Sequence, residues 1–361
     1  MCVRVSGREG ANLMTDRYSN VALIIVAVIL TLAAAATAQT VVAPLVAALF
    51  IIAIIWPLQA WLENSLPRYL ALALNIIVIV VVFAVFGSLA AWAFGRVGRW
   101  IVAEAGRFQD LYAQLTAWLE SHGIAIAGTW AEHFNASWLL RAVQGVTSRL
   151  NSTVSFCLIV FVYVVLGLLE VRDFERKSHG LSNRELGQLL VQGATQTAAK
   201  LRRYMLVRTQ MSVATGLLVW AFARLVGLQF AAEWGVIAFV LNYIPFIGPF
   251  LATTFPTLFA SAQFETWQPV LALFIGLNLV QFVVGSYIEP RVAGAALSIS
   301  PSLILLSVFF WAYLWGAFGA FIGVPISIAV LTFCSLHPSS RWLAELLGSV
   351  PSGSTHQTLS D

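Results

Sequence analysis

Eight apolar runs of roughly membrane-crossing length dominate this chain, and the later ones break at proline and glycine. The runs are 21–38, 41–62, 70–94, 153–169, 207–227, 234–260, 270–288 and 301–334. A helix needs about 20 residues to cross a hydrocarbon core of about 30 Å. Lipid offers no partner to a free backbone N–H or C=O, so an interrupted helix at membrane depth is tolerated only where protein or a water-filled cavity surrounds it. The interruptions are Asn242-Tyr243-Ile244-Pro245-Phe246-Ile247-Gly248-Pro249, then Glu289-Pro290-Arg291, then the stretch from Gly316 to Pro325 that contains Gly319 and Gly323. One proline can be a packing kink, since Gly and Pro are common in membrane helices. Several breaks close together point to a path, because broken helices build the substrate sites of many transporters.

Two runs are too long for one straight crossing. Run 301–334 would reach about 50 Å at 1.5 Å per residue. It should therefore be kinked, re-entrant or a tight hairpin, and run 234–260 poses the same problem more mildly at Pro245–Pro249. The expected fold is an all-α integral membrane protein of about eight transmembrane segments, the last two long ones broken or re-entrant, with an amphipathic helical extramembrane segment.

Composition agrees. The chain is 60% hydrophobic and 10% charged, where a soluble domain carries about 25% charged residues. The net charge of +4 comes from basic residues in loops between apolar runs, which is no nucleic-acid signature. Cys2, Cys157 and Cys334 are too scattered for a disulfide framework or a metal-ligand spacing. The five histidines, His122, His133, His179, His337 and His356, lie in loops or tails without spaced partners. There is no phosphate-binding loop and no nucleophile elbow. The reading is no enzyme, no cofactor and no metal.

The chain divides into a disordered tail (1–20), three transmembrane helices (21–94), an amphipathic extracytoplasmic segment (95–150) and a fourth transmembrane helix (151–170). A basic cytoplasmic elbow (171–206), a C-terminal bundle with broken helices (207–335) and a cytoplasmic tail (336–361) follow. Arg4, Arg8 and Arg17 before an apolar stretch, with Ala36-Thr37-Ala38 after it, also fit a cleaved signal. The apolar run from Val41 argues against cleavage, and Met14 is an alternative start. Arg172, Arg176, Lys177, Arg184, Lys200, Arg202, Arg203 and Arg208 place the elbow in the cytoplasm by the positive-inside rule. Ile101, Phe108, Leu111, Leu115 and Trp118 recur at a and d spacing, so their helix either lies on the membrane or seams with a second copy. In the elbow, Ser182-Asn183-Arg184-Glu185 reads as a capping box with Ser182 at N-cap. Its basic end suits anionic lipid.

Polar groups inside the runs are the functional candidates, because a charge at the bilayer centre costs at least ~2.5 kcal/mol. Glu289 leads them, and Asn278, Gln281 and Glu289 are spaced to lie near one helical face. The alternative is an interfacial Glu289–Arg291 pair in water. The candidate path is Asn242, Pro245, Gly248, Pro249, Asn278, Gln281, Glu289, Pro290, Gly323 and Pro325.

A family resemblance is carried by Arg203-Tyr204-Met205-Leu206-Val207-Arg208-Thr209, Gly216, Gly227, Trp234-Gly235 and Leu241 to Pro249. Glu289-Pro290-Arg291-Val292-Ala293-Gly294, Leu297, Ser300-Pro301, Gly316 to Pro325 and, near the start, Trp56-Pro57-Leu58 and Leu66-Pro67-Arg68 continue it. With these, most of the chain after about Val21 resembles the autoinducer-2 exporter family of bacterial membrane proteins. The resemblance implies a transporter of the bacterial inner membrane, a small polar solute or cation as substrate, and a homo-oligomer, with a pentamer among the possible states. The basic elbow departs from the mixed-charge elbow usual in the family. A channel or cation/proton antiporter, and a non-transporting scaffold, are the competing readings.

Overall fold

The computed structural model describes residues 23, 26–122, 136–293 and 300–348. The expectations for the tail 1–20, for Gly294 and Leu297, and for the end of the C-terminal tail lie outside the described residues, as does the side chain of Leu115. The described residues are helical, with no strand among them. Among the described residues six helices are long and apolar enough to cross a membrane, the last of them, 301–336, counted across its internal kink.

The elements are α1 (Val26–Thr37), α2 (Gln39–Glu63), α3 (Arg68–Ala103), α4 (Ala105–Ser121), α5 (Ala136–His179) and α6 (Arg184–Val226). Then come α7 (Ala231–Leu241), α8 (Ile247–Gln263), α9 (Trp267–Phe282), a π-turn (Val283–Ile288), α10 (Glu289–Ala293), α11 (Pro301–Leu336) and α12 (Arg341–Leu347). The first two apolar runs do not form a hairpin. Only Ala38 (φ −91°, ψ 24°) departs from helical backbone between α1 and α2, so the chain bends there and continues.

At 43 residues α6 is about 65 Å long, twice the hydrocarbon thickness. Its start corrects the capping expectation. Asn183, not Ser182, is the N-cap, accepting from the Leu186 N–H at 3.1 Å. Gly227 ends the helix in the left-handed conformation (φ 81°), and the Leu228 N–H closes back on the Ala223 carbonyl.

Both over-long runs double back. In the first hairpin, α7 has 11 residues and reaches only about 16 Å, too short to cross. Trp234 and Phe259, 25 positions apart, bring their ring centroids to 5.4 Å, which only antiparallel arms allow. The turn closes with Ile247 N–H to Pro245 carbonyl (2.7 Å) and Gly248 N–H to Ile244 carbonyl (2.9 Å). Phe246 is held at φ 62°, a conformation costing an L-residue about 1–3 kcal/mol.

The second hairpin is α11. Trp315 (φ −129°, ψ 17°) and Gly316 (φ 63°, ψ −144°) leave the helical region, and the Gly316 conformation is open essentially only to glycine. The arms, 301–314 and 317–336, touch: the Ser307 and Ser327 hydroxyls are 2.6 Å apart, although a straight helix would separate them by about 30 Å. Pro325 sits inside the second arm without ending it.

The hairpins enter from opposite ends. The open end of the first lies at the C-terminus of α6, where the Gln263 side chain donates to the Gly227 carbonyl (2.9 Å) and accepts from the Gln229 N–H (2.8 Å). The open end of the second lies beside the basic half of α6, where Lys200 Nζ donates to Thr332 Oγ1 at 3.1 Å. Trp315, at the second tip, donates its indole N–H to the Ala35 carbonyl at 3.1 Å. That carbonyl is the acceptor an unbroken α1–α2 helix would have offered to Gln39. Three main apolar clusters hold the bundle. The first gathers Trp234, Phe259, Leu273 and Leu277 around the first hairpin, and the second joins Phe50, Tyr204, Val308 and Ile322 around the second. The third binds α2, α3 and α5 through Ala48, Ile79 and Val164. Outside them a broad apolar surface is exposed, such as Ile77, Val80, Val81 and Phe83 on α3, as a lipid-facing helix requires.

Candidate substrate path between the hairpin tips

The stretch of α6 from Tyr204 to Thr215 is where the broken elements meet. Tyr204, Arg208, Ser212 and Thr215 are buried at spacings that place them on one helical face. Tyr204 packs into the cluster around the second hairpin, and Thr215 keeps a buried hydroxyl without a hydrogen-bond partner. The Asn242 amide at the first tip donates to Ser212 Oγ at 3.3 Å, with both residues buried. The Tyr243 hydroxyl donates to Thr209 Oγ1 at 3.1 Å. One turn toward the basic end, Arg208 Nη1 lies 3.4 Å from Glu289 Oε1.

Aromatic rings join the first tip to the second hairpin. Tyr243 lies 5.7 Å from Phe86 of α3 and 6.4 Å from Phe321 of the second hairpin, and Phe321 lies 6.1 Å from Phe50 of α2, all as ring centroids. Ile244 and Ile247 of the first tip pack into the same apolar cluster as Ile322 and Val324. The tip of the first hairpin thus meets both the middle of α6, through Asn242 and Tyr243, and the second arm of the second hairpin, through Phe321.

The candidates from the sequence distribute unevenly over this geometry. Asn242 and Pro245 lie at the first tip, and Gly248 and Pro249 open its second arm. A Cβ on Gly248 would collide with the Leu241 carbonyl, so this glycine serves close backbone contact within the turn. Gly323 and Pro325 lie in the second arm of α11, Gly323 against the Ser307 carbonyl and Trp311. Glu289 and Pro290 begin α10, directly after the π-turn. The alternative Glu289–Arg291 pair is not formed: Glu289 reaches Arg208, 81 positions away, while Arg291 lies over the Tyr287 ring at 4.6 Å. Asn278 is exposed and its amide is spent on the Phe274 carbonyl (2.8 Å). Gln281 keeps a buried amide nitrogen without a partner. The π-turn between them and Glu289 breaks the single face assumed from regular helical spacing.

Sequence reasoning missed Arg208, Thr209, Ser212 and Thr215. Arg208 was counted as the last basic residue of the elbow. The available signal was the i, i+4, i+7 spacing of Arg208, Ser212 and Thr215 at the start of an apolar run.

Two further polar ties lie outside the path. Gln59 donates to Glu63 at 2.6 Å, Asn75 donates to Gln59, and Arg172 pairs with Glu63, binding α2, α3 and α5. Arg96 pairs with the buried Glu233 at 2.6 Å, fastening α3 to the first hairpin at its open end. Among the described residues no group of His, Cys, Asp and Glu is placed to hold a metal ion.

Residues 23–336 match the family model described as AI-2E family transporter. The chain belongs to the AI-2E transporter family. Among its relatives, the AI-2 transport protein TqsA of Escherichia coli K12 is 28% identical over 298 residues, covering 81% of this chain and 85% of TqsA. The putative transport protein YhhT of the same organism is 23% identical over 339 residues, 91% of this chain and 94% of YhhT. A putative transport protein of Haemophilus influenzae is 26% identical over 345 residues, 90% of this chain and 95% of the relative. Family membership makes this a multi-pass membrane transporter, and the match takes in both hairpins and all of α6.

Proposed function

We propose that this AI-2E family protein is a secondary transporter of the bacterial inner membrane that moves a small polar solute between the two hairpin tips and along α6. One observation carries the reading: the tip of the first hairpin and Glu289 of α10 meet on a buried polar face of α6, at Ser212 and Arg208, and the same tip touches Phe321 of the second hairpin, which enters from the opposite end. Each hairpin returns toward the end it entered from, so each can open one side of the membrane while the other stays closed, which is the requirement of alternating access. Breaks at Phe246 and Trp315–Gly316 supply the hinge positions. The basic half of α6 faces the cytoplasm under the positive-inside rule, so the second hairpin opens inward and the first outward.

Polar groups at the tips favour a solute that needs hydrogen bonds over an apolar one. The name of TqsA makes AI-2 the first candidate solute. Flux into proteoliposomes should be saturable, driven by an imposed ion or proton gradient, and lost in Asn242→Leu. Non-saturating flux insensitive to any gradient would make the protein a channel, and absence of flux with every solute tried would end the transport reading.

A further inference from the structure

Arg208 is buried, yet one carboxylate serves its guanidinium through a single nitrogen. Nη1 sits 3.4 and 3.5 Å from the two oxygens of Glu289, at the outer limit of a hydrogen bond, and Nε has no partner. One turn earlier on the same face, the Tyr204 ring lies with its centroid 5.8 Å from Arg208 Cζ. Its hydroxyl is buried beside that guanidinium and makes no hydrogen bond of good geometry to any other group. A buried donor without an acceptor loses its hydration and recovers nothing. Here two such donors adjoin a buried positive charge. Nε with a terminal nitrogen makes the fork that a carboxylate or phosphate fits through two oxygens.

The surrounding charge has the same sign. Arg202 and Arg203 donate to the carbonyls of Ala53 and Val292, and Lys200 donates to the Thr332 hydroxyl. None of these bonds neutralises a charge, and Arg291 stands two positions from Glu289. Of the elements packed on this half of α6, α9, the π-turn, α10 and α11 carry one carboxylate between them, Glu289, whereas α2 carries Glu63, held by Arg172, and α5 carries Glu170, Asp173 and Glu175. The acid of the first hairpin, Glu233, is held by Arg96 at the opposite end of the fold.

We propose that Arg208 and Tyr204 form a subsite for an oxyanion group of the solute, a carboxylate or phosphate, which displaces Glu289 from the guanidinium. The inference rests on the transport path above and deepens it by naming the solute class as a small organic anion. Glu289 is the internal stand-in that holds the guanidinium between solutes. It directly follows the π-turn, a wide helical turn that recurs at functional segments.

The test uses the full chain in nanodiscs of zwitterionic lipid and reads thermal unfolding with lactate, inorganic phosphate or uncharged glycerol. Lactate or phosphate should raise the melting temperature, because a ligand of the folded state stabilises it, and glycerol should not. Glu289→Gln removes the competitor and should tighten anion binding about tenfold. Tyr204→Phe should weaken it about fivefold, and Arg208→Gln should abolish it. No anion effect in either the wild type or Glu289→Gln overturns the proposal. So does an undiminished effect in a folded Arg208→Gln protein. Should Arg208→Gln not fold, unchanged anion affinity in both Tyr204→Phe and Glu289→Gln overturns it instead. Nanodiscs containing phosphatidylglycerol separate the two sources of phosphate. If that lipid alone reproduces the stabilisation through Arg208 and blocks the soluble anions, the ligand is a headgroup and the solute reading falls. Solute flux indifferent to substitution of Arg208 and Tyr204 would overturn this subsite and leave the transport reading standing. Anion binding without flux of any solute would do the reverse.

Discussion

If α11 is a hairpin, two residues 20 positions apart can be joined covalently. Ser307→Cys with Ser327→Cys, in a chain whose Cys2, Cys157 and Cys334 are replaced by serine, puts thiols where hydroxyls now stand 2.6 Å apart. A disulfide needs Cβ atoms about 3.5–4.5 Å apart, and hydroxyls in contact bring theirs close to that range. A continuous helix would hold them about 30 Å apart, beyond any local flexing. Mild oxidation should therefore consume both thiols, read as loss of the mobility shift caused by a bulky maleimide. Closing a loop of this length restricts the unfolded chain by about 3 kcal/mol in the chain-entropy model, so the oxidised protein should melt higher than the reduced one. The bond lies within one hairpin, and transport should survive if that hairpin moves as a unit. Two thiols that stay fully alkylatable after oxidation, in protein that is folded, would refute the reversal at Trp315–Gly316.

Gly323→Ala should destabilise the second hairpin by about 1–3 kcal/mol, because its Cβ would stand 2.7 Å from the Ser307 carbonyl and 3.0 Å from the Trp311 ring. Gly98→Ala, with nothing within 4 Å, is the control and should gain up to about 1 kcal/mol of helix propensity; thermal melts in detergent compare them. Arg96→Ala should cost about 1–2 kcal/mol by leaving Glu233 buried and unpaired, the half-exposed arginine lowering the figure expected of a fully buried pair. Arg99→Ala in the same melts should change little. A cysteine placed at Ser121 should react with an impermeant reagent outside intact spheroplasts, since α4 lies at the end away from the basic half of α6; labelling only after lysis would invert the topology. Native mass spectrometry in mild detergent should find a homo-oligomer, and monomer at every concentration would remove that expectation.

The apolar runs gave away the membrane class and the positions of the breaks, because burial in lipid demands long unbroken hydrophobicity and makes each exception visible. What the breaks do was harder to see. Proline was a poor guide: Pro44, Pro57, Pro256 and Pro325 all sit inside helices that continue. The backbone reverses where φ turns positive, at Phe246 and Gly316, and Phe246 has no residue-level signature of that. Runs 21–38 and 41–62 count as two segments by length, but only Ala38 leaves the helical region between them and the chain bends there without reversing. The polar face of α6 was hidden for another reason. Arg208 follows a basic stretch in sequence, and only packing against α10 reveals it as buried. Of the site, the hairpin tips and Glu289 were therefore visible, while the helix that receives them was not.

The tip contacts also carry information about the order of assembly during synthesis. A chain emerges from its N-terminus, and its parts fold as they appear. The first hairpin finds its partners Thr209 and Ser212 only 34 and 30 positions behind it, so α6 is already made when Tyr243 and Asn242 emerge. The second tip must reach Ala35, 280 positions back. The nascent protein therefore docks its first hairpin early and the tip of its second late, and the bond from Trp315 to Ala35 ties the last long helix to the first.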